Sequence, residues 1–304
     1  MKTAAIEDEV ATPAREEALR IGPAADFAQL VKVRLTLLVL LTTAVGFYLG
    51  AANPISYTAL FHAVLGTALA AASASALNQW WERRADGLMH RTKMRPIPAG
   101  RMLARDAFII GSLLGIAGVT YLALACNALA ASLAALTIVL YIFAYTPLKR
   151  ISTTNTLVGA IPGAIPPMIG WAAARGELGA GAWSLFAILF LWQMPHFFAL
   201  AWMYRQDYAR AGFRMMSNDD ETGVRCASQS VVFCMLLLIV AGLPGYVGVT
   251  NAIYVPIAFA LGGWFIAVAM KFHRKKTARD ARALFITSIV YLPLLLAALV
   301  LTKI

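Results

Sequence analysis

Apolar residues fill six stretches of the chain that contain no Asp, Glu, Lys or Arg. A transmembrane helix needs about 20 consecutive apolar residues. Three of the stretches exceed 40 residues and are long enough for two helices each, whereas the other three hold one each. The pattern therefore predicts an all-α integral membrane protein with nine transmembrane helices. The six stretches are residues 35–81, 107–148, 151–174, 178–204, 226–270 and 283–302.

Each long stretch is interrupted where a turn between two helices would lie. The interruptions are Asn53-Pro54, Cys126-Asn127 and Pro244-Gly245, and such residues favour turns over continuous helix. The predicted helices cover about residues 30–51, 57–80, 106–125, 128–147, 152–173, 182–204, 227–247, 252–271 and 282–302.

Composition supports a membrane protein and gives its expected orientation. The 304 residues are 60% hydrophobic and 13% charged, whereas soluble domains average about 25% charged residues. With nine helices, 24 of the 26 Lys and Arg residues lie on one side of the membrane, and Arg175 and Lys303 lie on the other. The positive-inside rule then places the N-terminus in the cytoplasm and the C-terminus in the periplasm. The net charge of +11 reflects these loops, and we expect no nucleic-acid partner.

The first 26 residues differ from the remainder of the chain. They contain six acidic residues, unlike a mitochondrial transit peptide, and lack the apolar core of a signal peptide. We therefore expect residues 1–26 to form a cytoplasmic tail and residues 27–304 to form a single nine-helix domain. This organisation favours a multi-pass protein of the bacterial inner membrane.

A first candidate site lies at the inner end of the second predicted helix. Asn78, Glu82 and Asp86 are four residues apart, so they share one helix face over about 12 Å. Oxygen ligands at this spacing suit Mg²⁺ ions shared with a diphosphate, because Mg²⁺ binds one or two carboxylates together with phosphate oxygens. The alternative is a solvated, salt-bridged helix end. Basic residues that could neutralise phosphate follow at Arg91, Lys93 and Arg95.

A second candidate cluster follows the sixth predicted helix. Asp207 stands between Arg205 and Arg210, directly after the aromatic residues Trp202 and Tyr204. If the two clusters face each other, they could hold opposite ends of one metal–diphosphate. The predicted metal ligands are then Asn78, Glu82, Asp86 and Asp207, with Mg²⁺ as cofactor.

Five motifs in order resemble the UbiA superfamily of intramembrane prenyltransferases, and within it the branch that farnesylates heme. The resemblance runs from about the first to the ninth predicted helix. The motifs are Asn78-x-Trp80-x-Glu82-x-x-x-Asp86 with Arg95-Pro96, Tyr145-Thr-Pro-Leu-Lys149-Arg150, Gly163-Ala-x-Pro166-Pro167-x-x-Gly170-Trp171, Trp192-Gln-Met-Pro-His196-Phe197, and Tyr204-Arg205-x-Asp207-Tyr208.

The resemblance implies a reaction and its partners. The farnesyl group of farnesyl diphosphate would be transferred to a vinyl group of heme B, with addition of water, to give heme O and diphosphate. Mg²⁺ and basic residues would stabilise the leaving diphosphate. The lipid bilayer would surround the enzyme, and heme O would be handed to a heme A synthase or a terminal oxidase.

The resemblance also suggests roles that remain open between the two substrates. Lys149, Arg150, Arg205 and Arg210 could bind either the diphosphate or the heme propionates. His196 lies inside an apolar helix, where a polar group is usually functional. We expect an axial contact to heme iron or a hydrogen bond to substrate, with a helix–helix hydrogen bond as the alternative. Aromatic candidates for the acceptor site are Trp80, Trp202 and Tyr204, although some of these rings could form an interfacial belt.

Three other functions compete with this interpretation. A prenyltransferase acting on an aromatic or quinone-precursor acceptor would use similar clusters. A transporter would place ionisable groups near the bilayer midplane, whereas the acidic residues here fall outside the predicted helices or, for Asp106, at the first residue of one. A structural oxidase subunit would leave the acid–base clusters unexplained. The acidic run Asp219, Asp220 and Glu221 departs from the family pattern, and we expect it to be a solvated loop.

Overall fold

The computed structural model describes residues 22–304 and confirms the predicted architecture in that range. Nine of its helices are long and apolar enough to cross a membrane. We number them α1 to α9. Their bounds are α1 Val33–Gly50, α2 Tyr57–Leu88, α3 Ala104–Ala125, α4 Ala128–Leu148, α5 Asn155–Arg175, α6 Ala180–Met203, α7 Val224–Tyr246, α8 Tyr254–Lys275 and α9 Ala278–Leu301.

Polar side chains begin several of these helices at the predicted turns. Asn127 precedes α4, and its Oδ1 accepts a hydrogen bond from the Ala130 amide at 2.9 Å. Ser56 begins α2 and Thr277 begins α9 in the same way. Because the first amides of a helix lack intrahelical acceptors, these caps fix where each helix starts. The sequence signal at Cys126-Asn127 therefore marks a true helix boundary.

One helix extends well beyond its predicted end. α2 continues to Leu88, whereas the sequence pattern predicts an end near residue 80. Glu82 and Asp86 consequently lie on the helix itself, so the expectation that these acidic residues fall outside the membrane helices is wrong. The prediction counted only residues before the first charged side chain, Glu82, as helix, whereas the helical backbone continues for about two further turns.

A short helix, Pro23–Leu30, precedes α1. It crosses the expected boundary between tail and domain at residue 26. Asp26 in this helix is buried, and its Oδ1 lies 2.9 Å from Nε of Arg101 in the α2–α3 loop. The described part of the tail is thus held against the bundle, whereas residues 1–21 lie outside the described residues.

The helices pack in an order that encloses α5 and α6. α1 packs on α5, α2 on α3, α6 on α7 and α9, and α8 on α7 and α9. The crossing of α1 and α5 is close: a Cβ on Gly46 or Gly170 would lie about 2 Å from backbone of the facing helix. Small residues at this crossing allow α1 and α5 to approach each other closely.

Successive helices alternate in direction, so the bundle has two distinct ends. We call the end that carries Leu88, Leu148 and Met203 the charged face, because the acid–base clusters lie there. The end that carries Gly50 and Arg175 is the opposite face.

Candidate active site

The three predicted ligands on α2 are buried. Asn78, Glu82 and Asp86 are 1%, 6% and 0% exposed, and their four-residue spacing places them on one side of the helix. A solvated helix end would leave such side chains in water. The alternative interpretation, a solvated helix end with salt bridges, is therefore wrong in its solvation, although the salt bridges are present.

Each of these three residues meets a cation from a different segment. Because an isolated buried carboxylate is costly, such partners allow the acids to be buried in charged form. Three separate segments converge on α2 in this way. The pairs are Lys32 Nζ with Asn78 Oδ1 at 2.9 Å, Lys149 Nζ with Glu82 Oε1 at 2.7 Å, and Arg95 Nη1 with Asp86 Oδ2 at 2.7 Å.

Sequence reasoning missed Lys32 as a site residue and counted it only as a topology-determining charge. Lys32 lies just before α1 with a left-handed backbone (φ 50°), which turns the chain from helix Pro23–Leu30 into the membrane. Burial lowers the pKa of Lys32 to about 7, with help from Arg95 and Lys149. The signal available in the sequence was a lysine directly before a long apolar helix.

The pKa of Lys149 is shifted in the opposite direction to that of Lys32. Burial opposes its charge, but Glu82 and the nearby phenols of Tyr145 and Tyr141 outweigh that effect and raise the pKa of Lys149 above its ordinary value. Its ammonium lies 4.4 Å from the centroid of the Tyr145 ring and 5.6 Å from that of Phe213. Lys149 is therefore a persistent cation in an aromatic enclosure.

A π-helical turn at the end of α4 supplies part of that enclosure. Leu140–Tyr145 form this turn, a feature often found at functional sites. It is followed by Thr146, whose Oγ1 accepts a hydrogen bond from Nδ2 of Asn78 at 3.1 Å. The amide group of Asn78 is thereby oriented with its oxygen toward Lys32.

The second cluster contacts the first, which is the arrangement that a shared metal–diphosphate site would require. Asp207 is buried; its Oδ2 accepts the backbone amide of Arg91 at 3.4 Å, and its Oδ1 pairs with Arg210. The Arg91 guanidinium lies 5.3 Å from the Tyr204 ring centroid. The loop after α2 and the segment after α6 are therefore in direct contact. A shared apolar cluster supports them, made of Ala85, Met89, Ala201, Ala211, Phe213 and Met215.

The Lys149 loop is tied to the second cluster through the backbone. The Arg214 amide donates to the Lys149 carbonyl at 2.6 Å, and Nδ2 of Asn155 donates to the Arg214 carbonyl at 2.7 Å. Asn155 is fully buried. Three loops of the charged face thus form one connected surface around the acids.

Several predicted residues lie at the margin of this site. Lys93 and Arg150 are exposed, and Arg150 lines a cavity of about 350 Å³ next to Glu82 and Phe213. The Arg205 guanidinium lies 4.4 Å from the Trp202 ring centroid. It does not pair with Asp207 among the described ion pairs, in contrast to Arg210.

Trp80 lies away from the acids. It packs against Phe108 of α3 at 4.8 Å between ring centroids, on the side of α2 opposite to Asn78 and Glu82. Trp202 is buried beneath Gly223. Trp80 is therefore a packing residue, whereas Trp202 and Tyr204 each contact an arginine of the clusters, Arg205 and Arg91 respectively.

His196 is engaged in a contact between α6 and α9. Its Nδ1 lies 2.8 Å from Oγ of Ser288, and its ring lies 4.7 Å from that of Phe285. The Trp192 indole donates to the Ser288 carbonyl from the same side of α6. The helix–helix hydrogen bond, which was the alternative from the sequence, is therefore present. A contact of the remaining Nε2 with an acceptor stays a prediction.

The acidic run after the second cluster is only partly solvated. Asp219 and Glu221 are exposed, as expected. Asp220 is buried, and its carboxylate accepts the Cys226 amide at 2.8 Å near the start of α7. The expectation of a solvated loop is therefore wrong for Asp220, which stabilises the helix start.

The donor set suits a hard divalent cation that also binds phosphate. In residues 22–304, no three His, Cys, Asp or Glu side chains cluster closely enough to hold a metal alone. Oδ1 of Asp86 is nonetheless buried without a hydrogen-bond partner, which is costly unless a ligand occupies it. Mg²⁺ needs one or two carboxylates when phosphate oxygens supply the remaining ligands. The residues present therefore fit Mg²⁺ bound together with a diphosphate.

Comparison with known proteins identifies relatives over most of the chain. The UbiA prenyltransferase family model matches residues 39–295. The protoheme IX farnesyltransferase of Solibacter usitatus is 42% identical over 287 residues, covering 91% of this chain and 98% of that protein. The enzyme of the same name from Opitutus terrae is 44% identical over 279 residues, covering 91% and 94%.

Solved structures share the fold at low sequence identity. A digeranylgeranylglyceryl phosphate synthase superposes with a TM-score of 0.76 at 13% identity, covering 94% of this chain and 98% of that one. A UbiA homolog from Archaeoglobus fulgidus bound to GPP and Mg²⁺ superposes with a TM-score of 0.61 at 16% identity, covering 90% and 99%.

Proposed function

The chain belongs to the UbiA prenyltransferase family, and on this premise we propose that it transfers a farnesyl group from farnesyl diphosphate to a vinyl group of heme B. Water adds in the same reaction, so the products are heme O and diphosphate. The observation that carries the proposal is the contact between the two acid–base clusters, where Asp207 accepts the amide of Arg91. Relatives named protoheme IX farnesyltransferase support heme as the acceptor.

The chain's own cations bind the diphosphate in this proposal. Lys32, Lys149 and Arg95 already face the oxygen-bearing side of α2. When a diphosphate enters, these side chains can exchange part of their contact with the carboxylates for phosphate oxygens. Charge that develops on the departing diphosphate is then stabilised by groups held in place beforehand.

Mg²⁺ is the cofactor that we propose. Asn78, Glu82, Asp86 and Asp207 would hold Mg²⁺ ions together with phosphate oxygens, and the unpartnered Oδ1 of Asp86 supports a ligand at that carboxylate. The bound ion supplies further positive charge to the leaving diphosphate. A UbiA homolog has been solved with GPP and Mg²⁺, which supports Mg²⁺ as the cofactor.

The remaining side chains shape where the two organic substrates lie. The farnesyl chain is apolar and would extend from the charged face between the helices, where water is scarce. Tyr145 and Tyr204 present ring faces near the diphosphate site, where they can stabilise an allylic cation. Arg150 and Arg205 at the margin take part in no ion pair found in residues 22–304, and we propose that they pair with heme propionates.

We further propose a bacterial inner-membrane location with residues 1–26 in the cytoplasm. The one-sided distribution of basic residues supports this orientation. Heme O is more apolar than heme B because of its farnesyl chain, so its release into the bilayer or to a heme A synthase or terminal oxidase is the expected next step.

The proposal can be tested in cells that make heme B but lack heme O. Expression of the chain should produce heme O in solvent-extracted hemes, detected by chromatography and mass spectrometry. Membranes that contain the folded protein and heme B without any heme O would contradict the proposed acceptor.

The orientation gives a separate prediction. Single cysteines placed in the α2–α3, α4–α5, α6–α7 and α8–α9 loops, on a background without the native cysteines, should be labelled from the cytoplasm and not from the periplasm. A cysteine at Glu177 in the α5–α6 loop is the matched control and should show the reverse. Periplasmic labelling of the α2–α3 loop would contradict the orientation.

The role of His196 gives another prediction. If Nε2 of His196 contacts heme iron, His196→Ala should alter the Soret band of added heme B, whereas Ser288→Ala should leave the band unchanged because the imidazole remains. Both variants remove the same helix–helix hydrogen bond. Equal spectra for the two variants and the wild type would show that His196 is structural.

A further inference from the structure

A second polar cavity lies at the opposite face, far from the acid–base clusters. It has a volume of about 350 Å³, which is near the lower end of the range for ligand pockets, about 300–1,000 Å³. The ends of α1 and α5, the start of α6, the α7–α8 loop and the segment after α9 line it. Among its lining residues are Trp171, Arg175, Gly179, Gly181 and Lys303.

This cavity brings together the two basic residues that the sequence left on that side. Neither Arg175 nor Lys303 takes part in any ion pair found in residues 22–304. Lys303 donates through Nζ to the carbonyls of Tyr48 and Ala51, at 2.7 and 2.8 Å. Arg175 donates through Nε to the carbonyl of Gly50 at 2.6 Å. The end of α1 thus fixes both cations side by side without neutralising them.

Several other groups that line the cavity carry hydrogen-bond donors. Neither Nη atom of Arg175 has a partner among the described hydrogen bonds. Gly179 directly precedes α6 and has no side chain to cap the helix, so the first amides of α6 lack a side-chain acceptor. The buried indole N–H of Trp171 is also unpartnered. Such a helix start favours an anion through its amides and its dipole.

We propose that this cavity binds an anionic phosphate group. Arginine, lysine and a helix N-terminus are the groups that recognise phosphate in proteins. The cavity lies at the ends of transmembrane helices, which is the depth of lipid headgroups. The phosphate can therefore come from an anionic phospholipid or from a soluble phosphate, and the two sources are separable by experiment.

The test uses the purified full-length protein in detergent. Binding of phosphatidylglycerol, phosphatidylcholine and inorganic phosphate is measured by native mass spectrometry and by the ligand-induced shift of the unfolding temperature. We expect phosphatidylglycerol or phosphate to bind, and Lys303→Gln and Arg175→Gln each to weaken that binding about tenfold, as for loss of one charge-assisted hydrogen bond. Lys275→Gln, an exposed lysine on the charged face, is the matched control and should bind as the wild type does.

The outcomes separate the two sources and the proposal itself. Tight binding of phosphatidylglycerol that phosphate does not displace identifies the lipid headgroup, whereas binding of phosphate alone identifies a soluble ligand. Because both cations also cap α1, each variant is itself less stable, so the ligand-induced shift of the unfolding temperature is measured for each variant against the same variant without ligand. Arg175→Lys keeps the charge and should retain most of the binding. The proposal would be overturned if the protein bound phosphatidylglycerol no better than phosphatidylcholine and did not bind phosphate. It would also be overturned if Lys275→Gln weakened binding as much as Lys303→Gln and Arg175→Gln do.

Discussion

Asp86→Asn and Glu82→Gln are each expected to lower kcat about 10³-fold, as measured by heme O formation in membranes with added farnesyl diphosphate. Each substitution removes a negative charge from the proposed Mg²⁺–diphosphate site, and loss of one preorganised electrostatic group typically costs about 10²- to 10³-fold. Asp106→Asn, on a partly exposed acid at the start of α3, is the control and should retain wild-type activity.

These variants also test whether the buried pairs have a structural role. Removing one partner leaves Arg95 or Lys149 as an unpaired charge, which typically costs about 3–5 kcal/mol, so the unfolding temperature should fall. In Asp86→Asn/Arg95→Gln both charges are absent, and stability should recover while activity stays low. Recovery of activity with stability would show that the pair is structural and not a ligand site.

Lys149→Met is expected to lower kcat/KM for farnesyl diphosphate about 10²-fold. The ammonium of Lys149 pairs with Glu82 and is enclosed by Tyr145 and Phe213, so its loss removes one of the three cations that face the proposed diphosphate site. Steady-state kinetics at saturating heme B measures the effect.

Two further variants give this prediction its controls. Lys149→Arg keeps the charge and should recover part of the lost activity, although its planar guanidinium fits the enclosure less well. Lys275→Met removes an exposed lysine on the same face and should be silent. Full activity in Lys149→Met would show that residues other than Lys149 bind the diphosphate, which would contradict the prediction.

The fold could be predicted because a bilayer imposes simple rules on sequence. Helices must bury their backbone polar groups, so each span appears as an apolar stretch of fixed minimum length, and all nine predicted helices are present in residues 22–304. Their ends were harder to predict where function places charge inside a helix. α2 continues past Glu82, where Lys149 and Arg95 pair with its acids. Lys149 comes from a distant part of the chain, whereas Arg95 lies in the loop directly after α2.

The site could be predicted in outline but not in its contacts. The four-residue spacing of Asn78, Glu82 and Asp86 defines a shared helix face, and that geometry follows from the helix alone. Lys32 could not be assigned, because its position depends on a left-handed turn before α1. Trp80 looked equivalent to other aromatic residues in the motifs, although helix geometry turns it toward Phe108 and away from the acids.

The central claim is farnesyl transfer to heme B, and a reconstituted reaction tests it most directly. Purified protein in liposomes is supplied with heme B, farnesyl diphosphate and Mg²⁺, with parallel reactions that contain an aromatic acid or a quinone precursor in place of heme. Products are identified by mass spectrometry. We expect heme B to gain one farnesyl group and one water, with release of diphosphate, and we expect the product to be absent when Mg²⁺ is chelated. Prenylation of the aromatic acceptor with heme B left unchanged would contradict the account.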